Sequence, residues 1–189
     1  EQYALNSAFP VTAFLAMFTI GIGVGSIVCE RLSPNKVELG LVPFGALGLA
    51  LFLFDLSLVR LPEVASVPLL NLAPIAATPH GPRLFFDFTM MSMFGGLFIL
   101  PLYTTLQSRS GRRVRSRVIA GNNVFNAIFM VIGAVFVMLF HIYKISLRHT
   151  FLALVGFHVL ACAYIYALAP EFRMRFLFWI KGRRALARV

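Results

Sequence analysis

Five stretches of this chain, at about 9–29, 39–58, 84–106, 118–140 and 149–169, carry almost no charge. A helix needs about 20 apolar residues to cross a hydrocarbon layer of about 30 Å, so each stretch is long enough to span a membrane. In lipid every backbone polar group must be satisfied within the segment, which restricts such a chain to helices or a closed barrel. The runs are twice the length of a barrel strand. The reading is therefore all-α, a polytopic bundle of five transmembrane helices over 1–170, followed by a basic tail over 171–189. Composition agrees, with 59% hydrophobic residues, 13% charged residues and a mean hydropathy of +0.85, far from a soluble domain.

A sixth uncharged stretch, 64–82, holds Pro68, Pro74, Pro79 and Pro82. Each proline removes a backbone donor that lipid does not replace, so the stretch is expected to be an outer loop. The basic residues test that choice. With five crossings, thirteen of the seventeen Lys and Arg residues fall on one side, chiefly in the loop Arg109–Arg117 and the tail after Arg173, and four on the other. Lys and Arg gather on the cytoplasmic side of short loops, so the tail is expected to be cytoplasmic. A sixth crossing at 64–82 would move Arg31 and Lys36 away from the arginine-rich loop.

The net charge of +10 does not point to nucleic acid, because the basic residues sit between apolar runs where they orient helices. Cys29 and Cys162 form no CxxC and meet no histidine pair at metal spacing, so no metal site is expected. No nucleophile and base stand together, so no enzyme and no cofactor is expected. The Gly-Ile-Gly-Val-Gly run at 21–25 reads as close helix packing, since no strand or phosphate-binding lysine accompanies it.

Three segments carry a family resemblance. In "GIGVGSIVCERLSPNK", 21–36, Glu30 and Arg31 followed by Lys36 resemble the loop signature of the major facilitator superfamily, with Ser26 and Ser33 where that pattern has glycine. The order of Gly pair, Pro-Leu-Tyr, Leu-Gln, basic loop, Arg-Val-Ile-Ala and Asn-Asn-x-x-Asn-Ala over 95–135 is similar to the lysophospholipid transporter family of that superfamily. "LAPEFRMRFLFWI", 168–180, resembles the exit from the last membrane helix in members fused to an acyltransferase and an acyl-carrier-protein synthetase.

The resemblance implies helices eight to twelve of a twelve-helix transporter, hence a piece of a longer protein whose N-terminal half would be its partner. It implies transport of a lysophospholipid such as lysophosphatidylethanolamine across the bacterial inner membrane for reacylation. Two other readings stand beside it, a membrane anchor for a fused or associated acyltransferase and a generic solute facilitator. Half of a transporter is not expected to transport alone.

The candidate site residues follow. Asn122, Asn123 and Asn126 interrupt an otherwise apolar or small run, and Asn122 and Asn126, four apart, share a helix face. Such amides suit either a phosphodiester and glycerol headgroup or a neighbouring helix. Tyr103, Thr104 and Gln107, which the resemblance sets towards the central cavity, are further headgroup candidates. Glu30, Arg31 and Lys36 read as a gating latch or a solvated turn. Asp55 and Asp87 are the only acids in the spans. They read as ion pairs, with Arg83 four residues before Asp87 and Arg60 near Asp55, or as a coupling relay. His158, alone in the last span, reads as a helix-bonded residue.

Overall fold

The computed structural model describes residues 2–33, 38–59 and 80–186, with side chains for 12–33, 38–59 and 80–180. Those residues form six α-helices and no strand: α1 (Gln2–Leu32), α2 (Leu41–Leu58), α3 (Gly81–Arg109), α4 (Arg115–Ile142), α5 (Leu147–Leu168) and α6 (Glu171–Leu186). The first five are long and apolar enough to cross a membrane, counting α1 from Thr12. Most of their bounds fall within three residues of the nearly uncharged runs. The greatest departure is the start of α1 at Gln2, seven residues before the expected 9.

Local chemistry sets the ends. Pro82 was expected in a loop, yet it stands in the first turn of α3, where a missing N–H breaks no helical bond. Pro101 lies inside α3 and is buried; the Thr105 hydroxyl donates to its carbonyl oxygen at 2.7 Å. The end of α4 closes through Lys144, whose φ of 53° is left-handed. There the Lys144 N–H donates to His141 O at 3.0 Å and the Ile145 N–H to Phe140 O at 2.9 Å, which satisfies the last carbonyls.

Contacts fix the directions. Phe14 meets Phe85 and Phe88, and Gly21 and then Gly25 meet the α3 backbone further along, so α1 and α3 run parallel. Gly45 lies against Phe98 and Asp55 against Arg83, so α2 runs antiparallel to both. The end of α2 and the start of α3 therefore lie at the same end of the bundle. The 64–82 segment itself, up to residue 79, lies outside the described residues.

The packing is uneven. α1, α2 and α3 form the interior around Cys29, Leu41 and Leu97. Small residues bring them together: a Cβ added to Gly21 would come 2.6 Å from the Ser92 Cβ, and one on Gly96 would come 2.7 Å from Ile22 O. The expected packing role of the 21–25 run thus falls on Gly21 and Gly25, while a Cβ on Gly23 would meet nothing within 4 Å. α5 rests on α2, where the His158 Nε2–H donates to the Ala46 carbonyl at 3.0 Å. α4 buries no residue. It touches α3 lightly and meets α5 through Phe136 and Phe157, 5.3 Å apart.

The 171–189 region, expected as a basic tail, is helical as far as Leu186. Phe172 packs with Leu39 and Val42, and Trp179 packs on the interior cluster beside Phe44. The signal was present in the sequence: Glu171 opens the helix where its dipole favours an acid, and Phe172, Phe176 and Trp179 repeat at helical spacing.

Candidate functional site

Polar side chains are scarce in this molecule, and most of its hydroxyls are turned back on their own helices. Thr19, Ser26, Thr89, Ser92, Thr104 and Thr105 each donate to a carbonyl four residues earlier. Thr104 thus spends its hydrogen within α3. Beside the His158 bond to Ala46, three side-chain assemblies between helices stand out among the described residues.

The first joins α3 to α4. The Asn122 Nδ2–H donates to the Tyr103 hydroxyl oxygen at 3.0 Å, and the Asn126 Nδ2–H donates to the same oxygen at 2.6 Å. Two amides on one face of α4 therefore converge on one phenol. A phenolic oxygen accepts two hydrogen bonds and donates one, so both acceptor sites are filled and the O–H is left to donate elsewhere. Each amide keeps its carbonyl oxygen as an acceptor. The group is only partly buried, and Asn126 is exposed.

Tyr103 stands six residues before Arg109 and Asn122 seven after Arg115, which sets the cluster about 10 Å in from the arginine-rich end at 1.5 Å per residue. Two of the sequence candidates stay outside it. Gln107, one turn towards the arginines, is exposed, and Asn123 is exposed about 100° round α4; neither is hydrogen-bonded to Tyr103.

The second assembly lies at the opposite end. The Arg83 Nε–H donates to Asp55 Oδ2 at 3.2 Å and its Nη2 pairs with Asp55 Oδ1, joining α3 to α2. The same Nε lies 3.7 Å from Asp87 Oδ2. Asp87 is 2% exposed, and its Oδ2 has no hydrogen-bond partner among the described residues. One guanidinium thus serves two carboxylates, a bond of normal length to one and a longer ion pair to the other. Arg60, the sequence candidate for Asp55, lies outside the described residues.

The third assembly was not foreseen. Arg109 at the end of α3 grips Glu171 at the start of α6 in a two-pronged pair, Nη1–Oε1 2.9 Å and Nη2–Oε2 3.0 Å. The guanidinium holds the Glu171 carboxyl below its ordinary value. Sixty-two positions separate the two residues, and no spacing rule links them. Glu30 and Arg31, the expected latch, are both exposed at the end of α1, and no ion pair ties either to a described residue. Lys36 lies outside the described residues.

Among the described residues no three His, Cys, Asp or Glu side chains are grouped to hold a metal ion. Comparison of the chain with protein-family models, with curated proteins and with solved structures finds no match.

Proposed function

We propose that this chain is part of a membrane transporter that carries lysophospholipid, such as lysophosphatidylethanolamine, across the bacterial inner membrane for reacylation on the cytoplasmic side. The observation that carries this reading is the pair of amides sharing the Tyr103 hydroxyl on a helix that buries none of its residues. The cluster offers one O–H donor and two amide carbonyl acceptors. A headgroup with phosphate oxygens, a glycerol hydroxyl and an ammonium presents the matching partners.

The surroundings suit a lipid better than a soluble solute. The outer positions of α4 are large and apolar, with Phe125 63% exposed, Phe129 67% and Met130 75%. A single-chain lipid can approach such a helix from the side, its acyl chain staying in the bilayer while its headgroup reaches the amides. Arg112, Arg113, Arg115 and Arg117, all exposed at the near end of α4, attract the phosphate electrostatically. The thirteen-to-four division of basic residues favours this end as the cytoplasmic one.

The test is uptake of labelled lysophosphatidylethanolamine by the full-length protein carrying Tyr103→Phe, Asn122→Ala or Asn126→Ala, with a labelled hydrophobic cation as the competing cargo. Each variant is expected to reach the membrane at normal level and to take up less lysolipid. Unchanged uptake in all three, and in the double asparagine variant, would leave the cluster as helix packing. Carriage of the cation in place of lysolipid would make the protein a solute facilitator.

A further inference from the structure

α6 has two faces. The inner one holds Phe172 and Trp179 against the bundle. The outer one carries Met174, Leu177 and Phe178, at i, i+3 and i+4 spacing, exposed by 59%, 57% and 69%. Three large apolar side chains in one stripe, turned away from the protein, call for a covering.

The path of α6 says where that stripe lies. Glu171 is tied to the end of α3, Phe172 packs on Leu39 and Val42 at the start of α2, and Trp179 reaches the cluster that includes Cys29 of α1. The helix is therefore held to the bundle at this end instead of projecting from it. If α1 to α5 cross the membrane, α6 lies close to the plane of the bilayer surface. At 16 residues, with five Lys and Arg in its sequence, it is too short and too basic to span.

Charge and continuity choose the covering. Eight arginines with described side chains sit at this end against three glutamates, Glu30, Glu38 and Glu171, and Glu171 is already held by Arg109. On α5 the outward residues Leu160, Tyr164 and Leu168 are each 68% exposed, and this apolar face stops just before α6 begins. The exposed apolar residues of α5 and the stripe of α6 therefore follow one another along the chain at this end of the bundle.

We propose that α6 is an interfacial helix whose outer face binds an anionic phospholipid surface, with Met174, Leu177 and Phe178 among the upper acyl carbons and Arg173 and the arginines of the α3–α4 turn at the phosphates. The inference rests on the five membrane crossings and not on the cargo. A failed lysolipid assay leaves it standing.

The test places a nitroxide on Phe178→Cys, and separately on Arg173→Cys, in the full-length protein with Cys29 and Cys162 replaced by alanine. The protein is reconstituted in nanodiscs of phosphatidylcholine alone or mixed with phosphatidylglycerol. The label at 178 is expected to be relaxed by oxygen more than by an aqueous nickel chelate, with the preference strengthened by phosphatidylglycerol, and the label at 173 to sit at headgroup depth. A label at 178 open to nickel in both bilayers would assign the stripe to water or to a soluble protein partner. Equal depth in the two bilayers would remove the anionic recognition. Hydrogen exchange of the unmodified protein gives a second reading: slower exchange in the 171–180 peptides with phosphatidylglycerol supports the proposal, and exchange independent of lipid composition contradicts it.

Discussion

Helix α3 makes two seams of opposite character. Towards α1 it is closed by small residues, with Gly21 and Gly25 set against the backbone around Ser92 and Met93, and Gly96 against Ile22. Towards α4 it is bridged by two amide hydrogen bonds to Tyr103, and α4 buries nothing. Added methyl groups show the contrast, since a Cβ on Gly121 or Gly133 of α4 would meet nothing within 4 Å. Apolar helices gain little in lipid by hiding from it, so association depends on close backbone contact or on polar bonds. The first seam uses contact that nothing else replaces. The second rests on two side-chain bonds at a partly exposed site.

The largest expected effect tests the closed seam. Gly25→Leu has no room beside Met93 and is expected to destabilise the bundle by about 3 kcal/mol or to prevent folding. Gly133→Leu should stay within about 0.5 kcal/mol. Thermal unfolding in detergent compares the two, and equal losses would erase the distinction between the seams.

Next comes the ion assembly that fastens α2 to α3. Arg83→Gln leaves the nearly buried Asp87 without its nearest cation and is expected to destabilise the bundle. Arg83 itself is 45% exposed, so solvent moderates the loss. Adding Asp87→Asn should recover part of it. If the double variant is no more stable than Arg83→Gln, charge pairing is not what matters there.

The open seam should respond weakly in stability. Asn126→Ala removes one interhelical amide bond, worth about 1 kcal/mol in a membrane bundle, and its effect should largely vanish in a Tyr103→Phe background. Additive losses would mean that the two residues act independently.

The smallest effect concerns the pair that pins α6. Arg109 depresses the folded-state pKa of Glu171, so the stabilisation is full above the ordinary value of 4.5 and is lost as pH falls through the lower folded value. Both partners are solvent-exposed, so the change should be modest and salt-sensitive. Hydrogen-exchange protection across 171–180, taken relative to the intrinsic rate at each pH, should fall on acidification below about pH 4.5 and lose that dependence in Glu171→Gln. A pH response that survives in Glu171→Gln would place the titrating group elsewhere.

Much of the helical architecture could be read before folding, because the length of a nearly uncharged run is a direct measure of a candidate crossing. Tyr103, Asn122 and Asn126 were each visible as candidates, since polar side chains in apolar runs declare themselves. Their meeting at one hydroxyl was not legible, because it depends on the rotation of α4 against α3 about their axes. The pairing of Arg83 with Asp55 depends in the same way on how α2 and α3 align. α6 was obscured by its arginines, which made an amphipathic helix resemble a solvated tail, although its aromatic spacing was present.

The most direct test of the proposed function uses a photoactivatable lysophosphatidylethanolamine with its reactive group near the phosphate, crosslinked to the full-length protein in membranes and mapped by mass spectrometry. The account predicts adducts on α3 and α4 around Tyr103, Asn122 and Asn126, competed away by unlabelled lysolipid and reduced by Tyr103→Phe. Adducts confined to the α1–α3 seam, or labelling around Tyr103 that unlabelled lysolipid does not displace, would contradict it.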